Sequence, residues 1–191
     1  GLDSITAGIG NDIVLGDNGV AAFTAGILTR FASTDIDDTT GGNDTINLGR
    51  GNTDIIGGAG SDDIDTGTGI DRVLGDHGVI DYHTDGTITK IQSTLTNLGA
   101  ADFIDLYDGE TYVIAGSGDD EVRTTGDAND YVLGDHGYIT WSTAGVITQM
   151  ESESLGEGGD DLLSLSDGNH WVIGGFGVDT ITAGVGRDIV L

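Results

Sequence analysis

Aspartates recur in this chain at spacings that bring carboxylates together. Asp44 and Asp62, Asp102 and Asp120, and Asp161 and Asp179 each stand eighteen residues apart. If about eighteen residues make one circuit of strands and turns, each pair lies one β-spacing apart, roughly 4.8 Å. Carboxylates held that close repel by about 1 kcal/mol in water and by several times that at lower effective dielectric. A hard divalent cation removes the penalty. Calcium accepts about six to eight oxygens, carboxylate and backbone carbonyl alike, in flexible geometry, whereas magnesium demands a smaller, near-ideal octahedron. The chain has no Cys and four His, so the soft and imidazole-rich sites of zinc and copper are poor candidates.

Positioning these aspartates requires short strands separated by glycine turns. Aliphatic residues recur every nine positions at Ile46, Ile55, Ile64 and Val73. They recur again at Ile104, Val113, Val122 and Val132, with one extra residue before the last, and at Leu163, Val172, Ile181 and Val190. Each lies two residues after Asp, Thr or His. A single inward side chain flanked by polar neighbours describes a three-residue strand. Two half-turns then close one circuit, and the aliphatic residues stack as two internal ladders that no single repeat could bury alone.

If the faces alternate throughout, one edge carries Asp3, Asp44, Asp62, Asp102, Asp120, Asp161 and Asp179. The other carries Asp12, Thr53, Asp71, Thr111, Asp130, His170 and Asp188. A non-carboxylate interrupts the second edge in every unit, so better-filled calcium sites are expected on the first. Asp44, Asp102 and Asp161 lack the full glycine approach and are the weaker members of that edge.

A longer period contains the shorter one. Asp17, Asp76 and Asp135 sit 59 residues apart in Leu-Gly-Asp-Asn/His-Gly corners, and residues 1–10 recur as 177–186. The chain reads as one continuous solenoid over 1–191, with units at about 1–59, 60–117 and 118–176 and the start of a fourth at 177–191. It opens without Met and in mid-pattern, as a segment of a longer array would. The three corner aspartates lie five residues beyond an edge aspartate, where they either cap a calcium site or shape the turn by bonding the backbone. His77 and His136 share a corner position with Asn18, which favours turn packing over a required ligand.

After each corner comes an insert outside the nine-residue rhythm. In the second unit Asp85-Gly86 lies between two β-prone runs, a hairpin signal. An aromatic recurs at Phe23, Tyr82 and Trp141. Such residues pack a hairpin on its neighbour or form a binding stripe. Asn43-Asp44-Thr45 fits the glycosylation acceptor pattern, but Asp44 is already assigned to the carboxylate edge.

Composition limits the partners. With 33 acidic residues, 6 basic ones and a formal net charge of -27, the chain lacks the Lys and Arg that bind nucleic acid or anionic membrane. Such charge alone favours disorder. Against that, 37% of residues are hydrophobic and fall at regular positions, so bound cations are the expected remedy. No apolar run is long enough to cross a membrane as a helix. No nucleophile elbow, metalloprotease helix or phosphate-binding loop is present, so no enzyme activity is expected.

Gly57-Gly58-Ala59-Gly60-Ser61-Asp62-Asp63-Ile64-Asp65 and Gly174-Gly175-Phe176-Gly177-Val178-Asp179-Thr180-Ile181-Thr182 carry Gly-Gly-x-Gly-x-Asp-x-aliphatic-x in full. The copies around Asp12, Asp71, Asp120 and Asp188 differ by Ala or Thr at the first glycine. In this motif the chain resembles the RTX, or haemolysin-type, calcium-binding repeats. The resemblance implies an all-β parallel β-roll with calcium between successive turns, type I secretion and folding only outside the cell. It also implies an extracellular or bacterial cell-surface setting in a large adhesin or surface-layer-like protein. The hairpin inserts lie outside it. The expected function is structural: a calcium-dependent stalk, spacer or self-associating layer whose partners are neighbouring repeats. The alternative is a calcium-dependent recognition module that binds a polysaccharide or protein through its hairpins.

Overall fold

The computed structural model describes residues 1–37, 39–153 and 156–191. Among these residues there is no helix, and twenty strands fall into three sheets. Sheet A is parallel and holds β1 (Ser4–Thr6), β5 (Thr45–Asn47), β7 (Asp63–Asp65), β11 (Phe103–Leu106), β13 (Glu121–Thr124), β17 (Leu162–Ser164) and β19 (Thr180–Thr182), in that order. Sheet B is also parallel. Its order is β2 (Asp12–Leu15), β6 (Thr53–Ile56), β8 (Asp71–Leu74), β12 (Thr111–Ile114), β14 (Asp130–Leu133), β18 (Trp171–Ile173) and β20 (Ile189–Val190). The chain alternates between the two sheets, so one strand in each makes a circuit. The register follows the nine-residue ladder: Ile46 pairs with Ile64, and Ile55 with Val73.

Sheets A and B enclose the first core. Ile46, Ile55, Ile64, Val73, Ile104 and Val113 are all fully buried there. The ladder thins toward the last circuit, where Ile181 is half-buried and Val190 is 47% exposed. Sheet A strands such as Thr45-Ile46-Asn47 alternate between exposed and buried side chains, as expected of a sheet with one face in water. Sheet B is different. Thr53-Asp54-Ile55-Ile56 and Thr111-Tyr112-Val113-Ile114 are buried at every position, which requires a cover on both faces.

The cover is sheet C, formed by the three inserts. Hairpins β3 (Gly19–Thr24) with β4 (Ile27–Ser33), β9 (Gly78–Tyr82) with β10 (Ile88–Ser93), and β15 (Gly137–Trp141) with β16 (Ile147–Ser152) are antiparallel. They join side by side, Phe31 of β4 pairing with Ile80 of β9 and Ile91 of β10 with Ile139 of β15. The result is one six-stranded sheet, β16-β15-β10-β9-β4-β3. Each unit adds two strands to every sheet. At one strand spacing per rung the three sheets advance together, which keeps sheet C continuous. Ala25 and Gly26 both take positive φ between β3 and β4, as a two-residue hairpin turn requires. Ile56, Leu74, Ile114 and Leu133 of sheet B meet Phe31, Ile80, Ile91, Ile139 and Trp141 of sheet C in a second core.

A candidate cation-binding edge

Where each circuit passes from sheet B to sheet A, an aspartate closes the turn. All seven aspartates of the first edge form one unbroken ladder. The Asp3 amide donates to Asp44 Oδ1 at 2.8 Å, Asp44 to Asp62 at 2.8 Å and Asp62 to Asp102 at 2.8 Å. The series continues from Asp102 to Asp120 at 2.7 Å, Asp120 to Asp161 at 2.9 Å and Asp161 to Asp179 at 3.1 Å. The main chain runs beside it: the Asp63 amide donates to the Asp44 carbonyl, and the Phe103 amide to the Asp62 carbonyl. Asp44, Asp102 and Asp161, which lack the full glycine approach, are as buried as Asp62, each being no more than 3% exposed.

Only one oxygen of each carboxylate is satisfied this way. Oδ2 of Asp44, Asp62, Asp102, Asp120 and Asp161 is buried with no hydrogen-bond partner. Each of these oxygens except that of Asp120 is seen to lie against a glycine and near a carbonyl of another circuit. A Cβ on Gly57 would meet Asp62 Oδ2 at 2.4 Å and the Gly75 carbonyl oxygen at 2.2 Å. One on Gly75 would meet Asp102 Oδ2 at 2.2 Å and the Ala115 carbonyl at 2.4 Å. Gly16 and Gly134 are hemmed in the same way by Asp44 and Asp161. These corners accept no side chain, and they gather carboxylate and carbonyl oxygen from successive circuits.

Burial, reinforced by neighbouring charge, makes these acids reluctant to ionise. It pushes the carboxyl of Asp62 up to about 8, with Asp44 and Asp17 adding repulsion. Asp120 rises to about 10 and Asp161 to about 7 for the same reason, with Asp76 and Asp135 their respective leading charged neighbours. Asp102 also moves well above the carboxylate range, and Asp44 is raised. Isolated buried carboxylates are costly in water-free surroundings. Orphaned oxygen, hard-donor chemistry and accumulated negative charge all fit a cation such as calcium. Among the described residues no group of three or more His, Cys, Asp or Glu side chains converges as a metal cage. Backbone carbonyls would have to complete any coordination sphere here, as calcium permits.

The second edge is built on hydroxyls. Thr53 donates to Asp71 Oδ1 through both its amide (3.1 Å) and its hydroxyl (2.8 Å), and Thr66 donates to Asp71 Oδ2 at 2.9 Å. Asp130 repeats the scheme with Thr111 at 2.9 Å and Thr124 at 2.7 Å. His170 places Nδ1 3.3 Å from Asp130 Oδ2, and its amide donates to Asp188 at 3.1 Å. Both oxygens of Asp71 and Asp130 are thus partnered without a metal. At Asp12, where Ala7 stands five residues before it as Thr66 stands before Asp71, Oδ2 is orphaned. Sequence reasoning missed Thr66 and Thr124. Their signal was a threonine at the first-glycine position of the nonapeptide, or one residue before it.

The corner aspartates clamp backbone. Asp76 accepts amides from Ala100 (3.2 Å) and Ser117, and Asp135 from Gly159 (3.0 Å) and Phe176. Asp17 accepts from Ala59 at 2.7 Å. Each ties its own corner to the next circuit, and Asp76 and Asp135 also hold the chain returning from the hairpin. Burial raises Asp135 to about 6 against the lowering effect of its two amides. His136 is fully buried, with Nε2 2.9 Å from Ser117 Oγ.

The three insert aromatics do not share a surface. Trp141 is 7% exposed and packs edge-on against Tyr112 at 5.0 Å, Tyr82 donates to Asp54 at 2.5 Å, and Phe23 is 63% exposed. A different aromatic row was missed: Tyr112, Tyr131 and Trp171 stack face to face on sheet B at 5.0 and 4.7 Å.

The chain matches no protein-family model, no curated protein and no solved structure. The RTX resemblance therefore rests on the nonapeptides.

Proposed function

We propose that this chain is a calcium-binding structural segment of a larger secreted or cell-surface protein, a stalk or spacer of the RTX type. In this reading sheets A and B are a β-roll, and the Asp3–Asp179 edge is its calcium edge. The supporting observation is the row of buried, unpartnered Oδ2 atoms from Asp44 to Asp161. Without cations, repulsion within a chain of net charge -27 opposes compaction. With them, the edge is neutralised and the aliphatic ladders stack. Each site that binds only the folded form adds RT ln(1 + [L]/Kd), about 2.7 kcal/mol at a hundredfold excess over Kd. Weak extracellular sites, with Kd on the order of 10⁻⁴–10⁻³ M, suffice when several act together.

The recognition alternative has less support, because two of the three insert aromatics are engaged in packing and hydrogen bonding within the chain. The test is circular dichroism and thermal melting during calcium titration, with magnesium and a chelator as references. Calcium should induce β-structure or raise Tm cooperatively, and magnesium should do so far less. Melting curves that coincide in calcium and chelator would rule the proposal out.

A further inference from the structure

The second hairpin lies across sheet B, with β9 against β6 and β10 against β8. Under its tip the seam between the sheets holds a cavity of about 250 Å³, which Asn11, Asn52, Asp54, Arg72, Tyr82 and Ile88 help to line. Here the seam is polar. Arg72 Nη1 donates to Asp54 Oδ1 at 2.8 Å, and the Tyr82 hydroxyl donates to Asp54 Oδ2 at 2.5 Å. One unit on, Thr53-Asp54 and Asp71-Arg72 are replaced by Thr111-Tyr112 and Asp130-Tyr131. The rings of Tyr112 and Tyr131 simply stack, at 5.0 Å. Packing alone is thus met by tyrosines at these two positions. A buried ion pair is weak evidence of stability, since apolar residues of similar volume often do as well or better.

The lining also carries bonding capacity that the chain does not use. Arg72 Nε is buried with no partner. Asn11 and Asn52 spend their carboxamide oxygens on the amides of Asn52 (3.1 Å) and Ile70 (3.0 Å), which leaves their NH2 groups as donors. Asp54 accepts one bond at each oxygen and keeps lone pairs for more.

We propose that this cleft binds one ring of a neutral saccharide. Donors and an acceptor stand together in it, as suits hydroxyls that each give and take a hydrogen bond. Tyr82 and Ile88 supply apolar surface for the C–H face of the ring. The Arg72 guanidinium in the wall opposes a metal ion. Asp54 beside that guanidinium, and a net charge of -27, oppose an anion. An apolar ligand would leave buried polar groups unpaired, at a cost. The volume falls short of the roughly 300–1,000 Å³ of drug-sized sites, so the occupant is a single ring. The cleft is on the outer face of sheet B and needs neither the first edge nor a stripe of exposed aromatics. The proposal therefore stands or falls separately from the stalk reading.

Titration followed by amide NMR tests it, on the 191-residue chain first shown by circular dichroism to be folded, in calcium or, failing that, in mildly acidic buffer. The probes are the methyl glycosides of glucose, galactose, mannose and fucose, with glucuronic acid as the anionic reference. At least one neutral glycoside should give saturable shifts at the amides of Asn52, Asp54 and Gly86, with Kd on the order of 1 mM. Glucuronic acid should bind more weakly. Asp54→Tyr combined with Arg72→Tyr, which installs the aromatic pair of the next unit, should melt no lower than the wild type and lose the shifts. If that double variant misfolds, Arg72→Met takes its place and should weaken binding at least tenfold. A folded wild type with no saturable shift at about ten times that concentration would overturn the proposal. So would shifts that survive in the folded variants, or a preference for glucuronic acid.

Discussion

Asp120 illustrates how one side chain carries two opposite contributions. Its Oδ1 satisfies the Asp102 amide, while its Oδ2 is buried without a partner. Asp120→Asn keeps an acceptor for that amide and removes the ionisable group. In chelator the substitution should stabilise the chain by about 1–3 kcal/mol, because no carboxylate need be desolvated or protonated. In calcium it should destabilise, because a charged ligand is lost. Thermal melts under both conditions should show this change of sign, and the same sign in both would refute a cation role for Asp120.

The pH dependence follows from the same acids. Asp161, Asp62 and Asp120 have folded-state values raised to about 7, 8 and 10 from 3.8. The folded chain therefore binds more protons than the unfolded one, and stability falls as pH rises. In chelator their contribution is complete below about pH 4 and is lost as pH climbs through 7, 8 and 10. Denaturant midpoints should accordingly fall between pH 5 and pH 9 in chelator. Calcium held by the ionised edge, as proposed, should flatten or reverse that slope.

The elements were unevenly legible. Nine-residue spacing of Ile46, Ile55, Ile64 and Val73 is enough to place both parallel sheets in register, because a period that long admits only a strand and a turn per repeat. The order of aspartates along the first edge follows from the same count. Lateral joining of the hairpins could not be read that way. It depends on two strands of sheet C matching two rungs of sheet B, a relation between sheets that no local pattern encodes. The doubly buried character of sheet B is present in the adjacent aliphatic pairs Ile55-Ile56 and Val113-Ile114, whereas the nine-residue spacing alone marks one inward face. Ile139→Ala tests the cover. This fully buried residue joins β15 to β10 and fills the second core, so its loss should cost about 2–4 kcal/mol and lower Tm by roughly 5–15 °C. Any calcium bound along the proposed edge should be retained, because Ile139 belongs to the second core and to the seam between β15 and β10.

Taken whole, the molecule is three sheets of unequal chemistry. Sheet A turns a polar face to water, sheet B lies between two cores, and sheet C covers it. The two edges of the winding differ just as clearly. Asp71 and Asp130 on the second edge are hydrogen-bonded by threonines, while on the first edge Asp44, Asp62, Asp102, Asp120 and Asp161 each bury a second oxygen with no partner, as only Asp12 does among the second-edge aspartates. Anomalous diffraction from crystals grown in calcium distinguishes the two edges. Difference peaks should lie along the first edge, about 2.3–2.6 Å from carboxylate oxygens of Asp62, Asp102 and Asp120, with none beside Asp71 or Asp130. A map without peaks along the first edge, or with peaks confined to the second, would show that the first edge does not hold calcium.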